Sequence, residues 1–226
     1  MRPGDRDEAI LREMGLYPAW RLKGSKEPVC EEAAPDAASA SGMDWDAIRE
    51  SIASCTACPL SRGRNKVVVG VGSEQADWLF VGEAPGAEED LKGEPFVGQA
   101  GKLLDNMLAA IGLSRQNNVY IANTVKCRPP GNRNPEPVEM AACRPYLSRQ
   151  IELVKPKLIV LMGRIAAQSV LDTDASISAL RGKRLALGNI PVVVTYHPAY
   201  LLRNPVDKAK AWEDLCFAKT MMAELS

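Results

Sequence analysis

From Asp44 onward the chain alternates short apolar runs with amphipathic stretches. The runs are VVVGV at 67–71, WLFVG at 78–82, VYIANTV at 119–125, LIVLM at 158–162 and VVVTY at 192–196. Each is apolar on both faces and predicts a buried strand. The stretches between them, 100–111, 135–153, 164–180 and 207–224, carry apolar residues at helical spacing. Asp44 is a ready N-cap for a further helix through Ile52. Strands alternating with helices predict an α/β fold: a three-layer α/β/α sandwich around a mainly parallel central sheet of about four strands. No internal repeat interrupts the pattern. In such sheets ligands bind at the carboxyl ends of the strands, so the residues that follow each run are the ones to read for chemistry.

Ahead of this pattern the chain changes character. Residues 31–42, EEAAPDAASASG, read as a flexible linker, and AILREMGLYPAW at 9–20 as a short helix docked by Leu16 and Trp20. The expected division is an N-terminal extension over 1–42 and a globular domain over 43–226. At 226 residues and 46% hydrophobic, the chain is long enough for one sizeable core. Lys+Arg and Asp+Glu both number 28, so a nucleic-acid surface would have to come from local patterning. No apolar run approaches the length that spans a bilayer, and the N-terminus MRPGDRDEAI has no signal-peptide core. The expectation is a cytoplasmic protein with no membrane partner, whose cysteines stay reduced or bind metal.

The strand ends carry the noticeable residues. His197, the only histidine, ends the last run and is followed at once by Pro198. The second run opens into GEAPGAEEDLKGEPFVGQAGKLL at 82–104. Its glycines let backbone amides approach a ligand, and a helix N-terminus near Gly98–Gly101 suits an anion. A phosphate-loop reading fails, because Lys102 is followed by Leu103 and the position five before Gly101 is Phe96. No dinucleotide fingerprint follows a strand. The third run carries Asn123 and leads into KCRPPGNRNP, basic and proline-rich. Glu, Asn and His converging on one sheet edge suggest a small-ligand pocket.

Cys55 and Cys58 form a C-x2-C pair, Cys127 follows the third run, and Cys143 lies sixteen residues later. Four thiolates suit a structural zinc or an iron–sulfur cluster, and the wide second pair leans towards the cluster. Cys30 and Cys216 fit no pair and are read as non-ligands.

CTACPL, VGEAPGAEED, GEPFVGQAGKLLD, NTVKCRPPGNRNP with its later Cys, and HPAYLL together closely resemble the family 4 uracil-DNA glycosylases, over roughly residues 44–222. The resemblance implies a structural 4Fe–4S cluster held by Cys55, Cys58, Cys127 and Cys143, no catalytic metal, and excision of uracil from deaminated DNA in base excision repair. The partner is uracil-containing DNA, single- or double-stranded, met by a monomer. Better-known uracil glycosylases place an Asp where this loop has Ala84, so that water-activating carboxylate does not carry over.

On this reading the base leaves the duplex and something apolar fills the gap. Leu201 is placed there by resemblance, with Leu202 as the alternative. Arg203 and Lys126 are assigned to phosphates, Phe96 to stacking on the base, and Asn123 to its Watson–Crick edge. A His197 N–H, with backbone amides of the loop from Gly82 through Ala84 to Gly86, stabilises negative charge gathering on uracil O2. Glu83 orients or activates water, or braces the loop. Glu89 sits against uracil C5 by resemblance, or is a surface carboxylate. Two rival classes are a redox enzyme and an iron–sulfur or zinc-stabilised nucleic-acid-binding protein without turnover. A covalent uracil-binding relative using a histidine in the basic loop is disfavoured, because KCRPPGNRNP contains none.

Overall fold

The computed structural model describes residue 13 and residues 40–225. The chain divides into residues 1–34 and 35–226. The helix expected over 9–20, most of the expected linker at 31–42, and Cys30 lie outside the described residues.

One sheet runs through the second unit in the order β1-β3-β2-β4-β6-β5. The strands are β1 Val71–Gly72, β2 Trp78–Gly82, β3 Val119–Asn123, β4 Leu158–Met162, β5 Leu185–Leu187 and β6 Ile190–Thr195. The inner four, β3, β2, β4 and β6, are parallel, and β2, β3 and β4 are buried at every position. β1 and β5 add antiparallel edges, so the sheet has six strands rather than the expected four or so. β5 is a three-residue, half-exposed strand, too short to register in a hydrophobic pattern. The 67–71 run is a strand only at Val71. Gly70 and Gly72 take positive φ there, and a Cβ on Gly70 would lie 2.6 Å from the Tyr120 hydroxyl, so the segment drapes along β3 instead of extending a ladder.

Eight α-helices are described: α1 Trp45–Ser54, α2 Ala87–Lys92, α3 Gln99–Ala110, α4 Pro137–Val154, α5 Arg164–Leu171, α6 Ile177–Leu180, α7 Pro198–Arg203 and α8 Lys208–Glu224. Asp44 caps α1 as expected, its carboxylate accepting from the Ala47 N–H at 2.9 Å. The helix expected over 164–180 is two helices, because Asp172 adopts a left-handed conformation (φ 53°) that ends α5.

Two apolar layers flank the sheet. Leu79, Val81, Ile159 and Leu161 face Leu147, Ile151 and Val154 of α4 and Ala166, Ala167 and Val170 of α5. Phe80, Ile121, Val160 and Met162 face Leu104 and Leu108 of α3 and Leu215, Ala218 and Met221 of α8. The three-layer architecture follows from strands whose odd and even positions are both apolar. From β2 the chain crosses to β3 on one side, and β4 then joins β2 on the other. The loops leaving β2 and β4 therefore diverge and open a crevice at the carboxyl ends.

Candidate active site

A cavity of about 740 Å³ occupies that crevice. Glu83, Ala84 and Gly86 line it from the loop after β2, Asn123 from the end of β3, Gly163 and Arg164 from the end of β4, and Tyr196 and His197 from the end of β6. Of the other expected residues, Glu89, Phe96 and Arg203 also line it, whereas Gly82, Lys126 and Leu201 do not. Four separate strand ends thus bring together residues that are more than a hundred positions apart in the chain.

His197 is the N-cap of α7. Its Nδ1 accepts from the Ala199 N–H at 3.1 Å, which fixes the neutral ring with its proton on Nε2 and makes that nitrogen the donor. Burial pushes the imidazole pKa down to about 4, with the Arg203 cation adding to the effect and Glu89 opposing it. Gly163 makes this seat possible, since a Cβ on it would come within 3.0 Å of the His197 Cβ.

The Phe96 and His197 rings lie 5.4 Å apart, tilted by 30°. Phe96 is buried yet holds φ at 55°, a conformation non-glycine residues rarely adopt. Gly82 lets both Phe96 and Asn123 close on the end of β2: a Cβ there would stand 2.5 Å from Phe96 Cζ and 2.5 Å from Asn123 Oδ1. That Oδ1 is buried with no hydrogen-bond partner among the described residues. A buried unpaired carbonyl is costly, so its presence on a cavity wall marks a place where a polar ligand belongs.

The loop carboxylates divide by partner. Glu89 Oε2 accepts from the Gly86 N–H at 3.1 Å, and its Oε1 accepts from the Val97 and Gly98 N–H groups at 2.9 and 3.1 Å. It knits the two halves of the glycine-rich loop together, which is not the surface carboxylate the sequence allowed for. The Gly86 amide is thereby committed to Glu89. Glu83 is raised above the ordinary carboxylate range by burial, with the Arg164 cation acting in the opposite direction.

Two expected DNA contacts are corrected. Lys126 is 1% exposed, and its Nζ donates to the Asn123 carbonyl at 2.9 Å and to Gln150 Oε1 at 2.5 Å. An ammonium enclosed in this way props the end of β3 and cannot reach a phosphate. Leu201 is also 1% exposed, packed with Tyr196 and Ala211, whereas Leu202 is 44% exposed. The burial of Leu201 follows from the six-residue helix α7, which no apolar period in the sequence marks: its helical turn buries one of the two neighbouring leucines and exposes the other. Sequence reasoning missed Arg164 and Arg133, both on the cavity wall. Arg133 is paired bidentately with the buried Glu139 at 2.8 and 2.6 Å, leaving Arg164 and Arg203 as the exposed lining cations without such a partner among the described residues.

Cys55, Cys58, Cys127 and Cys143 all line one small cavity behind β3. Arg64 donates to Cys127 Sγ at 3.3 Å and to the Cys55 carbonyl at 2.9 Å. Burial raises the Cys58, Cys127 and Cys143 thiols, Cys143 to about 12; the Lys126 cation opposes the rise at Cys143 and Arg64 opposes it at Cys127. Among the described residues no group of three or more His, Cys, Asp or Glu is arranged to hold a metal ion as it stands. Cys216 sits exposed on α8, away from the four.

Comparison with known proteins follows the same lines. The family model described as "Uracil DNA glycosylase superfamily" matches residues 69–216. The Type-4 uracil-DNA glycosylase of Archaeoglobus fulgidus is 49% identical over 168 residues, covering 71% of this chain and 83% of that protein. The Type-4 uracil-DNA glycosylase of Thermotoga maritima is 45% identical over 179 residues, covering 77% of this chain and 93% of that one. A Type-5 uracil-DNA glycosylase from Thermus thermophilus is 31% identical over 160 residues, covering 57% and 73%. With strand ends, cavity and sequence agreeing, this chain belongs to the uracil DNA glycosylase superfamily.

Proposed function

We propose that the chain excises uracil from DNA by hydrolysing the N-glycosidic bond, as the initiating step of base excision repair. The observation that carries this reading is the buried, unpaired Asn123 Oδ1 beside the Phe96 ring and the His197 donor. A carboxamide there accepts from uracil N3–H and donates to uracil O4; cytosine presents the opposite pattern at both positions. Phe96 stacks on the base. As the bond to the sugar breaks, negative charge gathers on uracil O2, and the His197 Nε2–H stabilises it where it develops. The imidazole's low pKa supports this role, since a neutral ring suffices and avoids a buried cation. Glu83, raised yet facing Arg164, orients the attacking water. Leu202 fills the gap left by the extruded nucleotide, and Arg164 and Arg203 hold phosphates.

Cys55, Cys58, Cys127 and Cys143 would hold a 4Fe–4S cluster. Their convergence on one cavity, with the Arg64 and Lys126 cations beside the thiols, supports the fit. Bound there, it would contribute structurally, with these four residues tying the 55–58 turn and α4 to the segment that leaves β3. Cleavage of oligonucleotides carrying U:G, U:A, single-stranded U, hypoxanthine or T:G tests the function. Uracil substrates should be cut after alkali and T:G should not. No cleavage at uracil in any context would leave a binding protein without turnover.

A further inference from the structure

Phe96 occupies a conformation that its own sequence does not favour, so something else must hold it. Two side chains hold the backbone around it. Glu89 takes the Val97 and Gly98 amides immediately after it. Arg115, in the turn between α3 and β3, takes the carbonyls: its guanidinium donates to the Phe96 carbonyl, to the Pro95 carbonyl at 2.8 Å, and at 3.5 Å to the Gly101 carbonyl. Asp105 of α3 pairs with Arg115 Nε and orients the fork. The arginine side chain is 15% exposed, so these bonds are shielded from solvent. Gly101 completes the arrangement, since a Cβ there would fall 1.8 Å from the Phe96 carbonyl oxygen.

We propose that Arg115 is a positioning residue for base capture: it pins the Phe96 backbone in the left-handed conformation that brings the ring over the end of β2 and beside His197. Arg115 does not line the cavity, so it acts through the backbone it holds, of which Phe96 is the residue on the cavity wall. A left-handed non-glycine residue is strained and persists only where its surroundings over-determine it. A planar guanidinium, with donors in a fixed fork, spans several carbonyls in a way that a single ammonium cannot.

This inference rests on the uracil-excision reading, and the experiment separates the two. Arg115→Ala and Arg115→Lys are compared with the parent well below their melting temperatures, per molecule of folded protein. The readouts are single-turnover excision, inhibition by free uracil, and the crystal structure of Arg115→Ala. The expected result for Arg115→Ala is a loss of tenfold or more in excision, a matching weakening of free-uracil inhibition, and Phe96 displaced from positive φ. Affinity for undamaged duplex should be unchanged, millimolar guanidinium should restore part of the rate, and Arg115→Lys should restore less. A parent-like rate, or Phe96 unmoved in the crystal, overturns the proposal. If the parent itself excises no uracil, the functional reading fails and Phe96's conformation alone decides the role of Arg115.

Discussion

At the scale of single residues, two neighbouring leucines make the sharpest contrast. Leu201→Ala should destabilise the fold by about 2–5 kcal/mol, the range for truncating a buried leucine, measured by denaturant unfolding. Leu202→Ala should leave unfolding unchanged and slow excision from duplex DNA more than from a single strand, where no gap needs filling. The reverse pattern would restore the leucine chosen from sequence. His197 carries a pH signature of its own. Its folded pKa of about 4 lies below the ordinary value of 6.5, so the unfolded chain takes up a proton that the folded one refuses. Stability should therefore fall as pH drops from about 6.5 towards 4, and excision should show no limb near 6.5 from this residue. A limb at 6.5 that vanishes in His197→Ala would contradict the buried neutral imidazole.

At the scale of elements, the strands that deliver the site were legible and the short helices were not. β2, β3, β4 and β6 announce themselves as apolar runs, so Asn123 and His197 could be placed at carboxyl ends before any coordinates. β5 and α7 span three and six residues, below what a hydrophobic period resolves, and with α7 went the distinction between Leu201 and Leu202. Lys126 was misread because a lysine in a basic, proline-rich segment looks solvent-facing, while its burial depends on Gln150 from a distant helix. Nor could sequence show that Glu89 binds three amides at once. The cysteine turn, α4 and the exit from β3 form one unit if a cluster holds them. Replacing Cys127 or Cys143 by Ala should then lose iron and soluble protein together; full iron in soluble Cys143→Ala would remove it from the ligand set.

At the scale of the whole molecule, the 28 basic and 28 acidic residues leave DNA affinity to the rim of one crevice. Each phosphate neutralised should contribute about −0.9 to the slope of log affinity against log salt. Removing Arg164 or Arg203 should lower the magnitude of that slope by about one, while Arg133→Ala, whose charge already faces Glu139, should not change it. Activity should persist in EDTA, since every proposed catalytic role falls on a side chain. The chemistry turns on the lone histidine at the end of β6, proposed to stabilise charge on a departing base. Single-turnover excision by His197→Ala on a saturating uracil duplex, with iron content and circular dichroism recorded on the same sample, tests it most directly. Intact protein with a rate lower by roughly 10²–10³ is expected, the usual loss when one such donor is removed. Parent-like excision, or slow excision only where iron or fold has been lost, would contradict it.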